Sequence, residues 1–291
     1  RKAQKYDPNK PVPWKAGLTR EEAKERAADT AEFFQNFQAF FENHQFETDE
    51  DRVECLESAH SNLLSLLDGD ADLLNHKVVG AGAEFLIKVS TVGQIRRLFQ
   101  RIGGNFSRLM CGGGSSRVVE LLLSIVFSAG TDLLEAEEAG EGGIPSLAQL
   151  VCRLVDEVAS DVPDVFVHTF GSFSLRMLVR VLGGLPAKEK EAAAAAEDRP
   201  VFIGELNRIC AQVAAAVSAD VVGTCQETAT NGCLQVVVEV LATLHRRAAE
   251  YHSDPAFDEL LVTYRGLRDS VLAHFATLAA HQTSARVVEA L

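Results

Sequence analysis

A short pattern recurs along the chain and restricts the folds that the chain can adopt. In each copy a turn of small residues precedes two variable positions and an apolar pair, which a polar residue follows in most copies. Most copies also follow another short helical segment, and such helix pairs bury their apolar faces only by stacking on neighbours. The pattern therefore predicts an array of helical repeats. The copies are GAEFLIKV at 82, SSRVVELL at 115, GSFSLRML at 171, TNGCLQVV at 230 and SARVVEAL at 284.

The copies are unevenly spaced, which indicates insertions between them. Separations of 33, 56, 59 and 54 residues point to a unit of a little over thirty residues, interrupted by extra segments between the later copies. We expect the insertions near 130–144, 185–199 and 246–256. The proline-containing start, residues 1–18, is predicted to be an extended basic N-terminal arm, and residues 19–291 the repeat domain.

Helical periodicity dominates the chain, and strands are hard to find. The first helix begins with a capping box from Thr19 to Glu22 and carries an aromatic stripe that is typical of a core. The valine-rich segment 234–244 is long enough to be a buried helix. We therefore predict an all-α chain. After two helices that begin near 19 and 48, the predicted helices are 71–79, 82–90, 93–102, 105–111, 116–128, 145–160, 163–169, 172–182, 200–218, 220–228, 232–249, 256–264, 266–280 and 284–291.

The charge is acidic overall but unevenly distributed. A net charge of −13 argues against indiscriminate binding to nucleic acid. The segment from Phe85 to Val119 nevertheless contains no acid and six basic side chains. A local basic patch on an acidic protein is therefore predicted.

The glycine-rich stretch CGGGSSRVVELLL, residues 111–123, is the strongest candidate for a phosphate-binding loop. It lacks the Lys-Ser/Thr of a Walker motif, and no predicted strand precedes it. Its string Arg-Val-Val-Glu recurs at 286–289, so the stretch is interpreted as a repeat boundary. The glycines end one helix and Ser115 or Ser116 caps the next.

No other motif indicates catalysis or a cofactor. The eight histidines show no His-Glu-x-x-His spacing and the six cysteines form no Cys-x-x-Cys pair. We therefore expect no enzyme activity, no metal, no cofactor and no small-molecule substrate. No apolar run reaches the roughly 18 residues that span a bilayer, so no membrane partner is expected.

The segment FGSFSLRMLVRVLGG, residues 170–184, resembles the Pumilio/Puf helix that carries paired RNA-facing positions. The organisation is most similar to the nucleolar protein nine family of Puf-like pre-ribosomal RNA-binding proteins. The aromatic-rich first helix and segment 47–64 also resemble the start of that fold, so the resemblance spans about 30–291. The positions that match the family's turn, Leu-Arg pair and Gly ending are Phe170, Gly171, Ser172, Leu175, Arg176, Gly183 and Gly184.

The resemblance implies a right-handed α-solenoid (superhelix) of degenerate Puf/Pumilio-like repeats, with the second helix of each repeat on the concave surface. In Puf proteins this helix offers three side chains per base, two for the base edge and one for stacking. Carried over to this chain, the sets are Ser116, Arg117 and Glu120; Ser172, Phe173 and Arg176; Asn231, Gly232 and Gln235; Ala285, Arg286 and Glu289; and Ala83, Glu84 and Ile87.

The first set is chemically suited to guanine, because Glu120 can accept from its donors while Arg117 stacks. In the second set Phe173 can stack, but Arg176 replaces the usual Glu or Gln. Asn231 and Gln235 could read uracil, although Gly232 supplies no stack, and the set of Arg286 and Glu289 keeps half of the chemistry. Ile87 cannot read a base edge.

These departures suit a divergent Puf-like protein that recognises RNA structure and backbone, and they equally suit a solenoid that has lost RNA and kept protein partners. The expected phosphate contacts are Arg96, Arg97, Arg101 and Arg108.

We thus expect a non-catalytic assembly or processing factor of the small ribosomal subunit, located in the nucleolus or nucleus. Its expected partners are pre-ribosomal RNA and ribosome-assembly proteins. The alternative is a structural α-solenoid inside a large ribonucleoprotein or protein assembly with little direct base recognition. The acidic balance favours the alternative, whereas the basic segment and the two Arg-Val-Val-Glu helices favour RNA binding.

Overall fold

The computed structural model describes residues 20–68, 70–128, 143–186, 201–251 and 254–290. Within these ranges every regular element is a helix, which confirms the predicted all-α class. The predicted arm and most of the first two predicted insertions lie outside the described residues.

We number the α-helices in chain order; Ala71–Asn75 and Ala248–Glu250 are 3₁₀-helices. The α-helices are α1 Arg20–Asn43, α2 Asp49–Leu67, α3 Lys77–Val89, α4 Val92–Ile102, α5 Phe106–Met110, α6 Ser115–Ser128, α7 Leu147–Val158, α8 Val162–Val167, α9 Gly171–Leu182, α10 Ile203–Ala219, α11 Val221–Gln226, α12 Thr228–Arg246, α13 Pro255–Leu272, α14 Phe275–Ala279 and α15 Ala285–Ala290.

The helices form a repeating unit with an outer helix, a short middle segment and an inner helix. The units are α2–α3, in which Ala71–Asn75 is the middle segment, then α4–α6, α7–α9, α10–α12 and α13–α15. The inner helices stack in the order α1, α3, α6, α9, α12 and α15, and the outer helices in the order α2, α4, α7, α10 and α13. The described chain is therefore an α-solenoid of stacked helical repeats.

A small residue at the start of the inner helices α6, α9, α12 and α15 allows the preceding turn to pack tightly against the helix. A buried hydroxyl donates to the carbonyl six residues earlier, at the end of the middle segment. On α9 Gly171 takes this place, because an added Cβ would lie 2.6 Å from the Val165 carbonyl oxygen. The donor–acceptor pairs are Ser115 Oγ to Leu109 O (2.6 Å), Thr230 Oγ1 to Thr224 O (2.5 Å) and Ser284 Oγ to Leu278 O (2.7 Å).

The largest differences from the predicted helix boundaries lie in α3 and α13. The first repeat copy was predicted to open a helix at 82, but α3 begins at Lys77. The predicted break near Gly266 does not occur, since α13 continues from Pro255 to Leu272. Leu260 and Leu267 are buried on one face of α13, and this burial outweighs the roughly 1 kcal/mol by which glycine disfavours a helix interior.

Candidate nucleic-acid interface

The inner surface contains a cavity of about 780 Å³ where α9, α12 and the start of α15 meet. Six residues predicted to belong to base-facing sets line it, and they come from three different repeats. The cavity also contains Arg180, Glu227 and Glu239, which the sequence analysis did not select. The six predicted residues are Phe173, Arg176, Asn231, Gly232, Gln235 and Arg286.

Burial along the inner helices fixes how their positions correspond. On α6, Ser115 and Ser116 are buried, Arg117 is exposed, the next two residues are buried and Glu120 is half-buried. The same order occurs on α9, with Phe173 exposed and Arg176 half-buried. Three structural rows therefore run across the repeats, and we call them the first, second and third row after Ser116, Arg117 and Glu120.

The same order of burial on α3 starts three residues earlier than predicted. Ala81 is exposed and Glu84 is half-buried, so they occupy the second and third rows. The predicted set of Ala83, Glu84 and Ile87 is therefore wrong in register, and Ile87 is a core residue with 1% exposure. Phe85 and Leu86 imitate the apolar pair that Val118 and Val119 form on α6, and this explains the shift in register.

The first-row side chains of α6, α9 and α12 are buried between the repeats, although Asn231 also lines the cavity. Ser116, Ser172 and Asn231 are at most 3% exposed. Ser172 Oγ donates to the Thr169 carbonyl (3.1 Å). Asn231 Nδ2 donates to the carbonyls of Cys225 (2.6 Å) and Thr283 (3.1 Å). Their burial, and at Ser172 and Asn231 their backbone bonds, show that these three residues take part in the packing of the repeats. Their contact with RNA stays a prediction.

The second row presents the side chains that are open to a ligand. Arg117 and Arg286 are exposed, and Phe173 is 49% exposed although it follows two buried residues. Large exposed aromatic rings and guanidinium groups are the side chains on which proteins stack unpaired bases. Two positions in this row lack such a group, since Ala81 offers only a methyl group and Gly232 has no side chain.

The third row mixes charges. Ser174 Oγ donates to the Glu120 carboxylate (3.3 Å). Burial raises the pKa of Glu120 and Glu84 adds to this effect, whereas the Ser174 bond, Arg117 and Arg176 lower it. The influence of Glu84 and Arg176 on Glu120 agrees with their places on the two adjacent inner helices. Farther along, Gln235 Nε2 donates to Asn231 Oδ1, and Glu289 is exposed.

Arg176 reaches from α9 across to α12. Its guanidinium carbon lies 4.4 Å from the centroid of the Phe173 ring, and its Nη2 donates to the Ala229 carbonyl (3.1 Å). Burial lowers the pKa of Arg176, an effect that Glu120 opposes. Because the guanidinium of arginine keeps its proton in proteins, Arg176 is a cation inside the cavity.

One helical turn farther along, an ion pair crosses the same two helices. Arg180 Nη2 lies 2.6 Å from Glu239 Oε2, with side-chain exposures of 14% and 39%. Arg180 follows Arg176 by four residues, and Glu239 follows Gln235 by four. This spacing places Arg180 and Glu239 on the same helix face as the preceding third-row residue. The four-residue spacing is therefore the sequence feature from which both cavity residues could have been predicted.

The predicted basic patch does not form on the inner surface. Arg97 and Arg101 lie on the outer helix α4, where they pair with Glu57 (2.7 Å) and Asp68. Arg108 lies on the short helix α5 and pairs with Asp72 (3.0 Å). The structure therefore separates these arginines from the second and third rows and neutralises each with a carboxylate.

Arg96 has a structural role. Its side chain is 2% exposed, and its Nε donates to the Pro145 carbonyl (2.8 Å) while Nη2 donates to the Ile144 carbonyl. The guanidinium is buried against the segment that leads into α7, so the predicted phosphate contact of Arg96 gains no support from its position.

The part of the chain that the structure describes contains no group of three His, Cys, Asp or Glu side chains placed to hold a metal ion. Over the same residues no helix is both long and apolar enough to cross a membrane.

The architecture and its inner rows define the class of Puf-like repeat proteins. Residues 83–200 match the family described as the NOP9-like PUF repeat domain. Nucleolar protein 9 of Candida glabrata is 24% identical over 163 residues, which are 53% of this chain and 24% of that protein. Its namesake in Fusarium vanettenii is 26% identical over 179 residues, or 57% of this chain and 23% of that protein. The resemblance to the nucleolar protein 9 family is thereby confirmed.

The chain spans about a quarter of the length of these curated relatives. The solved structure described as APUM23-GGAUUUGACGG has a TM-score of 0.61 and 14% identity to this chain. The match covers 91% of this chain and 55% of that one. At this identity the likeness establishes the fold, which is a solenoid of Puf repeats.

Proposed function

We propose that this chain binds RNA along its inner surface and belongs to a non-catalytic assembly or processing factor of the small ribosomal subunit. The observation that carries the proposal is the meeting of an exposed ring, Phe173, with three arginines in one cavity. These arginines, Arg176, Arg180 and Arg286, come from two repeats that are not adjacent. Stacking surfaces beside cations are what single-stranded RNA requires.

The relatives support pre-ribosomal RNA as the ligand class. Two of them are named nucleolar protein 9, and APUM23 is named together with the RNA GGAUUUGACGG. On this basis we place the protein in the nucleolus, where it would hold pre-ribosomal RNA together with ribosome-assembly proteins. It would act by covering the RNA and would perform no chemistry on it.

The step between α6 and α9 is proposed to read a guanine. Arg117 and Phe173 occupy the second row on these adjacent helices and would stack on either side of the base. Glu120 lies in the third row between them and accepts from donors, as its bond from Ser174 shows. A carboxylate that accepts from the base's imino and amino groups favours guanine over bases that lack this pair of donors.

A salt titration with structured pre-ribosomal RNA tests the proposal. Fluorescence anisotropy should show that binding weakens steeply with salt, with a slope of about −0.7 for each phosphate contacted on a single strand. Phe173→Ala should weaken binding at least fivefold, because loss of stacking costs about 1–3 kcal/mol per base. Phe275→Ala is the matched control, since Phe275 is 52% exposed on α14 and does not line the cavity. Equal affinity of the two variants would contradict the proposal.

The scaffold function is the second candidate, and the outer layer favours it. The net charge is −13, and carboxylates neutralise Arg97, Arg101 and Arg108. A surface of this kind suits protein neighbours better than phosphate. Absence of salt-sensitive RNA binding in the same titration would favour the scaffold.

A further inference from the structure

We propose that Arg176 acts as the stacking group of the neighbouring repeat, in place of the side chain that Gly232 lacks. Arg176 thereby fills the space between the second-row positions of α9 and α12, so that no base can enter this step, as we call the space between two adjacent inner helices. RNA would cross this step through its backbone, so the step would contribute affinity without sequence selection. This inference rests on the proposed RNA-binding function of the inner surface.

The geometry at Gly232 is the first argument. A Cβ added at this position would lie 2.5 Å from Arg176 Nη2 and 2.6 Å from its Cζ. Any side chain at 232 would therefore collide with the guanidinium group. The glycine is the residue that permits this close approach, and the gap in the second row is already filled by a planar group from the preceding repeat.

The fixation of Arg176 is the second argument. The guanidinium packs over the Phe173 ring at 4.4 Å on one side and against Gly232 on the other. The bond from Nη2 to the Ala229 carbonyl ties it to the first turn of α12. A planar cation that stacks on an aromatic ring and also donates to a carbonyl is a well-ordered arrangement for arginine.

The consequence for a ligand follows from the ring of Phe173. One face of the ring is covered by the guanidinium, yet 49% of the residue is exposed, so its remaining surface is open. A base can therefore stack on Phe173 from the side of α6, where Arg117 and Glu120 lie. On the side of α12 the slot holds Arg176, which also lines the cavity and presents its charge there. A phosphate is the part of a nucleotide that such a cation attracts, and phosphate contacts carry no sequence information.

Two substitutions test the arrangement from its two sides. Arg176→Met keeps the apolar stem and removes the charge, and Gly232→Ala displaces the guanidinium by the Cβ contact. The probe is a short single-stranded RNA pool with all four bases equally represented at each position. Arg176→Met should lower affinity for the pool about fivefold and reduce the magnitude of the salt slope by about 0.7, the value for one phosphate.

Gly232→Ala should lower affinity in the same direction. The double variant should bind no more weakly than Arg176→Met, because the alanine acts only through the guanidinium. Arg265→Met on the outer helix α13 is the control, since Arg265 is exposed and lies outside the cavity. Its affinity should match the wild type, and thermal melts of all variants should report an intact fold.

Sequences enriched from the pool supply the second readout. They should share a guanine that adjoins an unselected position, and replacing the unselected nucleotide by an abasic one should leave affinity within about twofold, as expected for a backbone contact. The inference is overturned if Gly232→Ala has no effect, if the two substitutions add, or if the position beside the guanine selects a base. Failure of the wild type to bind the pool at all would instead reject the proposed function.

Discussion

The arginines of the outer layer and those of the inner surface have different surroundings. In the outer layer Arg97 and Arg101 extend from α4 toward α2, and each meets a carboxylate there. On the inner surface Arg117 and Arg286 are exposed, and Arg176 rests on Phe173. The difference shows that a basic stretch of sequence does not amount to a basic surface, because consecutive residues of one repeat are distributed over three layers.

The difference also separates two contributions of arginine. An outer arginine joins helices of neighbouring repeats and affects stability, while an inner arginine leaves a cation available to a ligand. Substitutions in the two layers should therefore change different measurements. The following experiments exploit this contrast, from the largest expected effect to the smallest.

Replacing Arg96 should have the largest effect, and the effect should be on stability. Arg96→Met removes the bonds to the carbonyls of Pro145 and Ile144 and leaves these acceptors without that donor. We expect the free energy of unfolding to fall by about 3 kcal/mol, measured by urea denaturation. RNA affinity under native conditions should stay unchanged. A variant with unchanged stability and weakened RNA binding would contradict the structural role and indicate that Arg96 contacts RNA.

Acidification should destabilise the outer layer through His60. This side chain on α2 is 1% exposed, and burial lowers its pKa to about 4. Ser90 Oγ donates to the Leu86 carbonyl, so it accepts from His60 Nε2 and leaves Nδ1 as the site of protonation, buried without a partner. A lowered histidine pKa means that the unfolded chain binds the proton more readily. The contribution of neutral His60 to the free energy of unfolding is therefore complete above pH 6.5 and is lost as the pH falls toward 4.

The loss should amount to about 2 kcal/mol between pH 7 and pH 5, at 1.36 kcal/mol for each pKa unit. Thermal or urea denaturation of the wild type and His60→Gln over this range measures it, and only the difference between their pH profiles counts. Parallel profiles would contradict the assignment.

Removing inner cations should reduce RNA affinity without a cost in stability. The double variant Arg117→Ala and Arg286→Ala should bind structured pre-ribosomal RNA about tenfold more weakly at low salt, because two phosphate or stacking contacts are lost. The matched variant Arg97→Ala and Arg101→Ala should retain the wild-type affinity within about twofold. Anisotropy titrations compare the two, and a reversal of their order would eliminate the proposed difference between the layers.

Neutralising Glu239 should have the smallest effect and the opposite sign. Glu239→Gln frees Arg180 from its ion pair and removes a negative charge from the cavity. We expect RNA affinity to rise about threefold, with a steeper dependence on salt. An unchanged or weakened affinity would indicate that the ion pair orders the groove rather than masking it.

The sequence predicted the repeats well where a hydroxyl or glycine marks the turn. The copies that begin at 115, 171, 230 and 284 lie at or within two residues of the start of an inner helix. Ser115, Thr230 and Ser284 owe their place to a bond with a carbonyl six residues earlier. Because this requirement is local, it restricts the residue type within each copy, and the repeat pattern in the sequence shows it.

The first repeat lacks this trace, so its register could not be predicted. Val79 stands where the later copies have a hydroxyl or glycine, and Gly82 with Phe85 and Leu86 imitates the pattern three residues later. Only burial distinguishes the two alignments, because Ile87 is in the core while Glu84 is half-buried.

The composition of the site depends on contacts between repeats, which a single sequence does not reveal. The repeat pattern puts Phe173 and Arg176 in one predicted set, but it does not show that Arg176 reaches Gly232 in the next repeat. Asn231 is predicted to contact RNA, whereas its amide donates to the carbonyls of Cys225 and Thr283 and thus joins two repeats. Gly232 and Thr283 each lie one repeat farther along the chain than the residue they contact, beyond the reach of the helical periodicity within one copy.

The stacking order of the inner helices has a mechanical consequence. Each inner helix makes its main inner-layer contacts with the one before and the one after it, so the interfaces are connected in series. A force applied to the two ends would act equally on every interface, and the weakest would separate first while the others stayed intact. Stretching single molecules should therefore produce a succession of separate rupture events, and RNA bound across several repeats should act as a tether that raises the force of each.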